Sequence, residues 1–194
     1  PAAASPTATD NCDTDVTIIY AEVRTDGACT DSYTLTRTWT ATDNCGNSTD
    51  TQQVITVEDT TDPVLDNLPS DLTIECDAIP AAGSPTATDN CDTDVEITFV
   101  ETQIAGACAD GFSLERTWTA TDNCGNQDTH TQIIVVFDNT VPVFDASSVP
   151  SDETVECDAV PAAASPTATD NCDTDVTIIY AEVRTDGACT DSYT

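Results

Sequence analysis

The chain has 194 residues and carries 36 acidic side chains against four basic ones, a formal net charge of −32 at pH 7. A surface this acidic repels phosphate backbones and anionic lipids, and no apolar run approaches the roughly 20 residues of a membrane-spanning helix, so nucleic-acid partners and membrane insertion are excluded. Ten cysteines and 39% hydrophobic residues argue against disorder, and they predict a protein secreted to the extracellular cell surface.

Short strands follow one another along the chain, separated by proline and aspartate-rich turns. Apolar and polar residues alternate over 16–20 and 95–99, which is the two-residue period of a half-buried strand. Leu114, Trp118 and Ala120 share one strand face, and Ile134 and Val136 mark the final strand. No stretch carries the apolar stripe of an amphipathic helix. Several short strands in about 80 residues predict an all-β fold built from immunoglobulin-like antiparallel β-sandwich modules.

The sequence repeats itself at two levels. The segment 1–34 recurs without change as 161–194. Inside that period, Asn11-Cys12-Asp13 recurs as Asn90-Cys91-Asp92 and again as Asn171-Cys172-Asp173, and the second interval is slightly longer than the first. The repeating unit is therefore a pair of related but unequal modules.

These offsets divide the chain into three modules arranged end to end. Residues 1–61 form a partial module without its first strand, 62–141 form a complete module, and 142–194 form a partial module without its last strands. We expect the identical overlap at the two ends to reflect a window cut from a much longer tandem array. The alternative is a short protein with duplicated ends.

Three segments of the complete module resemble a known family. Residues 85–90 (PTATDN), 116–126 (RTWTATDNCGN) and 136–142 (VFDNTVP) are similar to the hyalin-repeat family of immunoglobulin-like modules, most closely to the cysteine-rich versions in giant surface adhesins of gliding Bacteroidetes-type bacteria. The resemblance implies an extracellular adhesive or structural setting without catalytic residues. The chain differs from the commoner hyalin repeat in having four cysteines in each module.

The four cysteines of the complete module allow three pairings, among which sequence alone does not choose. In a sandwich of this topology, the loops of Cys91 and Cys124 share one pole and those of Cys76 and Cys108 share the other. The predicted disulfides are Cys91–Cys124 and Cys76–Cys108, and by analogy Cys12–Cys45 and Cys157–Cys189. This assignment leaves Cys29 and Cys172 without partners. A zinc site is the alternative, although no Cys-x-x-Cys spacing supports it.

Aspartate and asparagine gather in the loops expected at one pole of each module. Ca²⁺ takes six to eight oxygen ligands, so converging carboxylates at a module joint predict a calcium site. The candidate ligands are Asp59, Asp62, Asp89, Asp92, Asp94, Asp122 and Asn126 at one joint, and Asp138, Asp170, Asp173 and Asp175 at the next. The alternative is that these residues only form turns, since no EF-hand spacing is present.

Two arginines occupy equivalent positions in a chain that has only four basic residues. Arg37 and Arg116 each lie two residues before a tryptophan on the same strand face. We expect each arginine to stack beside its tryptophan and to pair with a strand carboxylate, such as Glu22 or Glu101.

The last strand of the complete module has apolar residues on both faces. With residues 134 and 136 facing inward, Ile133, Val135 and Phe137 would face outward and form a contact surface for a neighbouring module or a parallel fibre. The alternative is burial under a loop.

The leading functional hypothesis is a structural and adhesive one: a repeat segment of a long secreted filament or stalk. Its expected partners are neighbouring copies of the same repeat and surface glycans or abiotic surfaces. The alternative is a calcium-dependent, lectin-like module that binds carbohydrate. We expect no enzymatic activity, because the chain has one histidine, no lysine and no nucleophile beside a base.

Overall fold

In the computed structural model, residues 5–107, 110–156 and 158–185 are described, and these residues form strands and loops without a helix. The all-β prediction is therefore confirmed. The strands are β1 Thr17–Asp26, β2 Tyr33–Thr42, β3 Ser48–Val57, β4 Val64–Asp66, β5 Leu72–Glu75, β6 Thr86–Thr88, β7 Glu96–Ala105, β8 Phe112–Thr121, β9 Gln127–Phe137, β10 Val143–Phe144 and β11 Ala168–Thr169.

The strands pair into four sheets, mostly between antiparallel neighbours. Strands β1, β2 and β3 form an antiparallel meander. Strands β4 and β6 pair antiparallel, while the other sheet of this module has the order β5-β9-β8-β7. Strand β5 runs parallel to β9, with Leu72 opposite Ile134. The immunoglobulin-like sandwich prediction is confirmed, and this parallel pair is an addition that the local patterns did not indicate.

The pairing of β10 with β11 repeats the pairing of β4 with β6. Val64 lies opposite Thr88, and Val143 lies opposite Thr169 in the next copy. Val64 and Val143 occupy equivalent positions of the repeat, and so do Thr88 and Thr169. The structure therefore reproduces the alignment of the sequence repeat.

Contacts divide the chain into two compact units. The first comprises Pro1–Pro69, Gly83–Val100 and Arg116–Thr131, and the second comprises Ser70–Ala82, Glu101–Glu115 and Gln132–Thr194. These units do not coincide with the sequence repeats, and the module boundaries at 61 and 141 stay a prediction. Among the described residues, no helix has the length and apolar character to span a membrane.

Strand β8 shows how the sequence pattern places the core. Every second residue from Leu114 to Ala120 is buried, and the residues between them are half-buried. In the second unit, Leu114 packs in a cluster with the buried Ile134 and Val136 of β9. In the first unit, Trp118 is only 3% exposed. The predicted inward faces of both strands are therefore confirmed.

The β8–β9 turn is built by one aspartate and one glycine. The Asp122 Oδ1 atom accepts hydrogen bonds from the backbone N–H groups of Cys124 and Asn126, at 2.9 and 2.8 Å. Gly125 has φ of 91°, a left-handed conformation that glycine adopts without a steric penalty. The β2–β3 turn is built in the same way, with Asp43 and with Gly46 at φ of 86°. The repeated Asp-Asn-Cys-Gly-Asn sequence thus presents its cysteine at the tip of a rigid hairpin.

Candidate functional site

Two disulfides link loops that lie far apart in the sequence. Cys29, in the loop between β1 and β2, bonds to Cys124 at the tip of the β8–β9 turn. Cys76, which directly follows β5, bonds to Cys172 in the loop after β11. Their sequence separations are 95 and 96 residues, longer than the repeat of about 80. Each disulfide therefore joins cysteines of consecutive repeats.

This pairing corrects the one expected from the sandwich topology. Cys124 bonds to Cys29 instead of Cys91, and Cys76 bonds to Cys172 instead of Cys108. Within the described part of the chain, the thiols of Cys12, Cys45 and Cys91 are free and exposed, so the expected Cys12–Cys45 bridge is not formed. The remaining predicted pair, Cys157–Cys189, lies outside the described residues.

The Cys91–Cys124 disulfide was wrongly expected because a hydrogen bond, and not a disulfide, joins the loops of these two cysteines. The loops of Cys91 and Cys124 are adjacent, because the Asp92 Oδ2 atom accepts a hydrogen bond from the Asn123 N–H at 2.9 Å. A carboxylate thus makes the link that a disulfide was expected to make, and both cysteines remain available to a neighbouring repeat. Asp13 makes the same 2.9 Å contact with the Asn44 N–H in the first module. The two cysteines left over in the topological assignment, Cys29 and Cys172, were the sequence signal for pairing between repeats.

A polar contact accompanies the first disulfide. The Asn123 side-chain amide donates a hydrogen bond to the Asp31 carboxylate at 2.5 Å, next to the Cys29–Cys124 bond. The loop between β1 and β2 and the turn between β8 and β9 are therefore held by a covalent bond and a charge-assisted hydrogen bond.

Two acidic residues converge beside Cys91. One ligand atom from each of Asp59, Asp89 and Cys91 lies within 4.8 Å of the others. Asp59 is only 8% exposed. The Oδ1 atoms of Asp59 and Asp89 accept backbone hydrogen bonds, whereas both Oδ2 atoms are buried without a hydrogen-bond partner among the described residues. Two carboxylates that each have a buried, unsatisfied oxygen therefore lie close together.

Neighbouring groups favour the charged form of the Asp89 carboxyl and oppose ionisation of the Cys91 thiol. Backbone N–H groups of Asp92 and Cys91 donate to Asp89 and hold the pKa of its carboxyl below the ordinary value. Burial raises the pKa of the Cys91 thiol, and the negative charges of Asp59 and Asp89 raise it further. The site therefore combines the Asp89 carboxylate with a protonated Cys91 thiol at neutral pH.

A related group lies one repeat later, with Glu75 in the place that Asp89 takes in the first group. Ligand atoms of Glu75, Asp138 and Cys172 lie within 4.8 Å of one another, and all three residues are half-buried. Asp170, the equivalent of Asp89, again has an Oδ2 atom that is buried without a hydrogen-bond partner in the part of the chain described. Backbone N–H groups of Cys172 and Asp173 lower the pKa of Asp170. Sequence analysis missed Glu75, because its position at the end of the short strand β5 gave no sign of this convergence.

The other predicted calcium ligands do not share this arrangement. Asp92, Asp122 and Asp173 accept backbone hydrogen bonds within their own or the adjacent loop. The Asn126 amide donates to Asp122 and, at 3.4 Å, to the Asp59 carbonyl oxygen. The remaining three candidates are exposed: Asp62, Asp94 and Asp175. The turn-forming role that the sequence left open thus describes several of these residues.

The first module contains the predicted arginine–carboxylate pair. Arg37 lies opposite Glu22 in the β1–β2 register, and its Nε atom donates to Glu22 Oε2 at 2.7 Å. The Tyr20 hydroxyl donates to the same oxygen at 2.6 Å, and the Tyr20 ring lies 5.5 Å from Trp39. The Arg37–Glu22 prediction is confirmed. Arg116 is buried at the equivalent position of the second module, 4% exposed, and its pairing with Glu101 stays a prediction.

This pair predicts a pH-dependent stability. The hydrogen bond from Tyr20, followed by that from Arg37, holds the pKa of Glu22 below its ordinary value. Ionised Glu22 therefore stabilises the folded chain above about pH 4.3, the usual value for glutamate, and the stabilisation disappears as the pH falls through the lowered value. We expect Glu22→Gln to reduce the melting temperature at pH 7 and to have a smaller effect at pH 3.

Thermal melting of wild type and variant across this range measures the difference. Glu96→Gln, at an exposed position of β7, is the matched control and should change the melting temperature little at either pH. A Glu22→Gln effect that stays constant from pH 7 to pH 3 would contradict the assignment, because a carboxylate in this pair must lose its role on protonation.

The predicted apolar contact surface is only partly exposed. Val135 is 41% exposed on β9, whereas Ile133 and Phe137 are half-buried. The Ile133 N–H donates to Asp71 Oδ1 at 2.8 Å, so the segment before β5 is joined to the backbone of β9 at this point. The role of these three residues in contact with a neighbour stays a prediction.

The fold and the bridges define a class: an all-β, immunoglobulin-like module fastened by disulfides. Comparison with known families agrees, since residues 1–57 and 65–136 match the model of the HYR-like domain with four cysteines. The chain belongs to this family, and the hyalin-repeat resemblance is confirmed. Repeats of this kind are adhesion-type, non-enzymatic domains that are typically extracellular. No curated protein matches the chain.

Proposed function

We propose that the chain is a load-bearing segment of an extracellular adhesive filament, in which disulfides lock each module to the next. The observation that supports this most strongly is the span of the two bridges. Cys29–Cys124 and Cys76–Cys172 both connect consecutive repeats, whereas a bridge inside one module would stabilise only that module. A covalent bond across a joint resists separation of the modules.

The two bridges together define a rule for a continuous array. Cys29–Cys124 connects the β1–β2 loop of one module to the hairpin tip of the next. Cys76–Cys172 connects the two remaining cysteine positions, since Cys172 is the equivalent of Cys91. If both bonds form at every joint, each module uses two cysteines toward the module before it and two toward the module after it. The rule accounts for all four cysteines of the family pattern.

Such a double connection explains how a thin thread of small modules carries tension. In an array that follows this rule, the peptide linker and two disulfides would run in parallel across each joint, and a load would divide among three covalent paths. The negative charge recurs at similar density along the array and opposes lateral bundling. The lectin-like alternative has less support, because Trp39 and Trp118 are 8% and 3% exposed and leave no indole face for stacking on a sugar.

A cleavable linker tests this proposal. A specific protease sequence inserted between the exposed Thr60 and Thr61 allows the chain to be cut between Cys29 and Cys124. After cutting, we expect the two fragments to migrate together on a denaturing gel without reductant and to separate once dithiothreitol is added.

The control is the same protein with Cys124→Ser, whose fragments should separate without reductant. If the wild-type fragments separate before reduction, the bridges lie within modules and the proposal fails. Electron micrographs of the native polymer, before and after reduction, then show whether the same bonds maintain the filament.

A further inference from the structure

We propose that Asp59 and Asp89 bind Ca²⁺, and that Glu75 and Asp138, one repeat later and next to the loop that carries Asp170, bind a second Ca²⁺. The inference is independent of the filament proposal, because it concerns carboxylates and not disulfides. Each set of carboxylates lies within one compact unit of this chain.

The first observation is the unsatisfied oxygens of Asp59 and Asp89. Asp59 is more than nine-tenths buried, and its Oδ2 atom has no hydrogen-bond partner among the described residues. Asp89 is a half-buried residue whose Oδ2 atom is likewise buried without a hydrogen-bond partner in the described part of the chain. One ligand atom of each residue lies within 4.8 Å of the other. A buried carboxylate oxygen without a donor is costly, and a second negative charge beside it increases the cost. A bound cation removes both penalties.

The second observation is that part of the arrangement recurs one repeat later. Asp138 occupies the position of the repeat that is equivalent to Asp59, and Asp170 occupies the one equivalent to Asp89. Asp170 Oδ2 is also buried and unsatisfied, and Asp138 approaches Glu75 within 4.8 Å. In the first module the equivalent turn aspartate, Asp10, is exposed to solvent. Among the described residues, the buried and unsatisfied carboxylate oxygens therefore occur at the two joints.

The donor set selects calcium among the divalent cations. Two of the three ligand atoms in each group are hard carboxylate oxygens, which Ca²⁺ and Mg²⁺ prefer and which soft-metal sites use less; the third is a cysteine sulfur. The sulfur of Cys172 is held in a disulfide with Cys76, so the second site has no thiolate to offer zinc. Mg²⁺ requires a near-ideal octahedron, whereas Ca²⁺ accepts the irregular geometry of loops. Extracellular modules bind Ca²⁺ with dissociation constants of about 10⁻⁴ to 10⁻³ M, and we expect this range here.

The position of each site gives it a role at the joint. Asp59 lies in the connection between β3 and β4, where one module passes to the next, and Asp89 directly follows β6. A cation held by both would fix the linker to the loop that carries Cys91. It would also neutralise charge where the acidic loops converge.

The experiment is a calcium titration of the whole oxidised chain at pH 7 after treatment with EDTA. We expect two bound Ca²⁺ ions by native mass spectrometry and a melting temperature that rises over the millimolar range, with Mg²⁺ much less effective. Asp59→Asn should bind one ion. In EDTA it should melt at a higher temperature than the wild type, because one of two repelling charges is gone.

Asp66→Asn is the matched control, since it removes one charge from an exposed position of β4 in the same unit. It should still bind two ions and keep the full rise in melting temperature. Asp138→Asn tests the second site independently of the first. Calcium that leaves the melting temperature unchanged would overturn the proposal, and so would equal binding to Asp59→Asn and Asp66→Asn. Neither result would affect the filament proposal, which depends on reduction and not on chelation.

Discussion

Replacement of both Cys29 and Cys124 by serine is expected to lower the free energy of unfolding by about 4–5 kcal/mol. The disulfide closes a loop of 95 residues, and in the chain-entropy model a loop of this length strongly restricts the unfolded chain. The native fold needs no rearrangement to accept serine, since Cys124 lies at the tip of a turn that Asp122 and Gly125 hold independently. The effect should therefore come mainly from the unfolded state.

Urea denaturation followed by tryptophan fluorescence measures this change. Trp39 and Trp118 both belong to the compact unit that contains the bridge, so their fluorescence reports the relevant transition. Cys45→Ser is the matched control, because Cys45 occupies the equivalent hairpin tip and its thiol is free and exposed in this chain. If the double variant unfolds at the same urea concentration as Cys45→Ser, the bridge contributes nothing and the pairing between repeats is in doubt.

The strands and their inward faces were accessible from the sequence because they depend on local alternation. Leu114, Trp118 and Ala120 lie an even number of positions apart, and strand geometry alone then places them on one face. Glu22 and Arg37 were also predictable as partners, because a hairpin register brings a particular pair opposite each other. In each case the spacing along the chain determines the contact.

The disulfides and the candidate metal sites were not accessible in the same way. The choice between Cys91 and Cys29 as the partner of Cys124 depends on how one module meets the next, and no local pattern records that. The topological argument correctly made the loops of Cys91 and Cys124 neighbours, but a hydrogen bond from the Asn123 N–H to Asp92 joins them.

Composition gave too broad a set of calcium ligands for a related reason. Aspartates that bond their own loops and aspartates with unsatisfied oxygens look the same in a sequence. Asp122 accepts two backbone hydrogen bonds through Oδ1 and one from the Asn126 amide through Oδ2, whereas Asp59 and Asp89 each retain a buried, unpaired oxygen. The difference arises from the three-dimensional arrangement of donors, which only the folded chain defines.

The substitution Trp118→Ala is expected to lower the free energy of unfolding by about 3–5 kcal/mol, the usual cost of removing a large aromatic side chain from a core. Trp118 is 3% exposed, and its ring centre lies 5.1 Å from that of Phe99 and 6.2 Å from that of His130. The His130 Nε2 atom is in turn within hydrogen-bond distance of the Pro69 carbonyl oxygen, at 2.9 Å. Removal of the indole therefore leaves a cavity and also withdraws the support of a second aromatic contact.

This substitution also separates the structural role from the lectin-like alternative. An indole that served as a sugar platform would be exposed, so its loss would weaken glycan binding and leave stability nearly unchanged. Because the indole is buried, we expect Trp118→Ala to unfold at a much lower urea concentration than the wild type. Val100→Ala is the control, since Val100 is 61% exposed on β7 and its replacement should lower the free energy of unfolding by less than about 0.5 kcal/mol. Equal stability of the two variants would place Trp118 outside the core and restore the case for carbohydrate stacking. A selective loss for Trp118→Ala would instead mean that this module uses its only tryptophan to hold β8 in the sandwich.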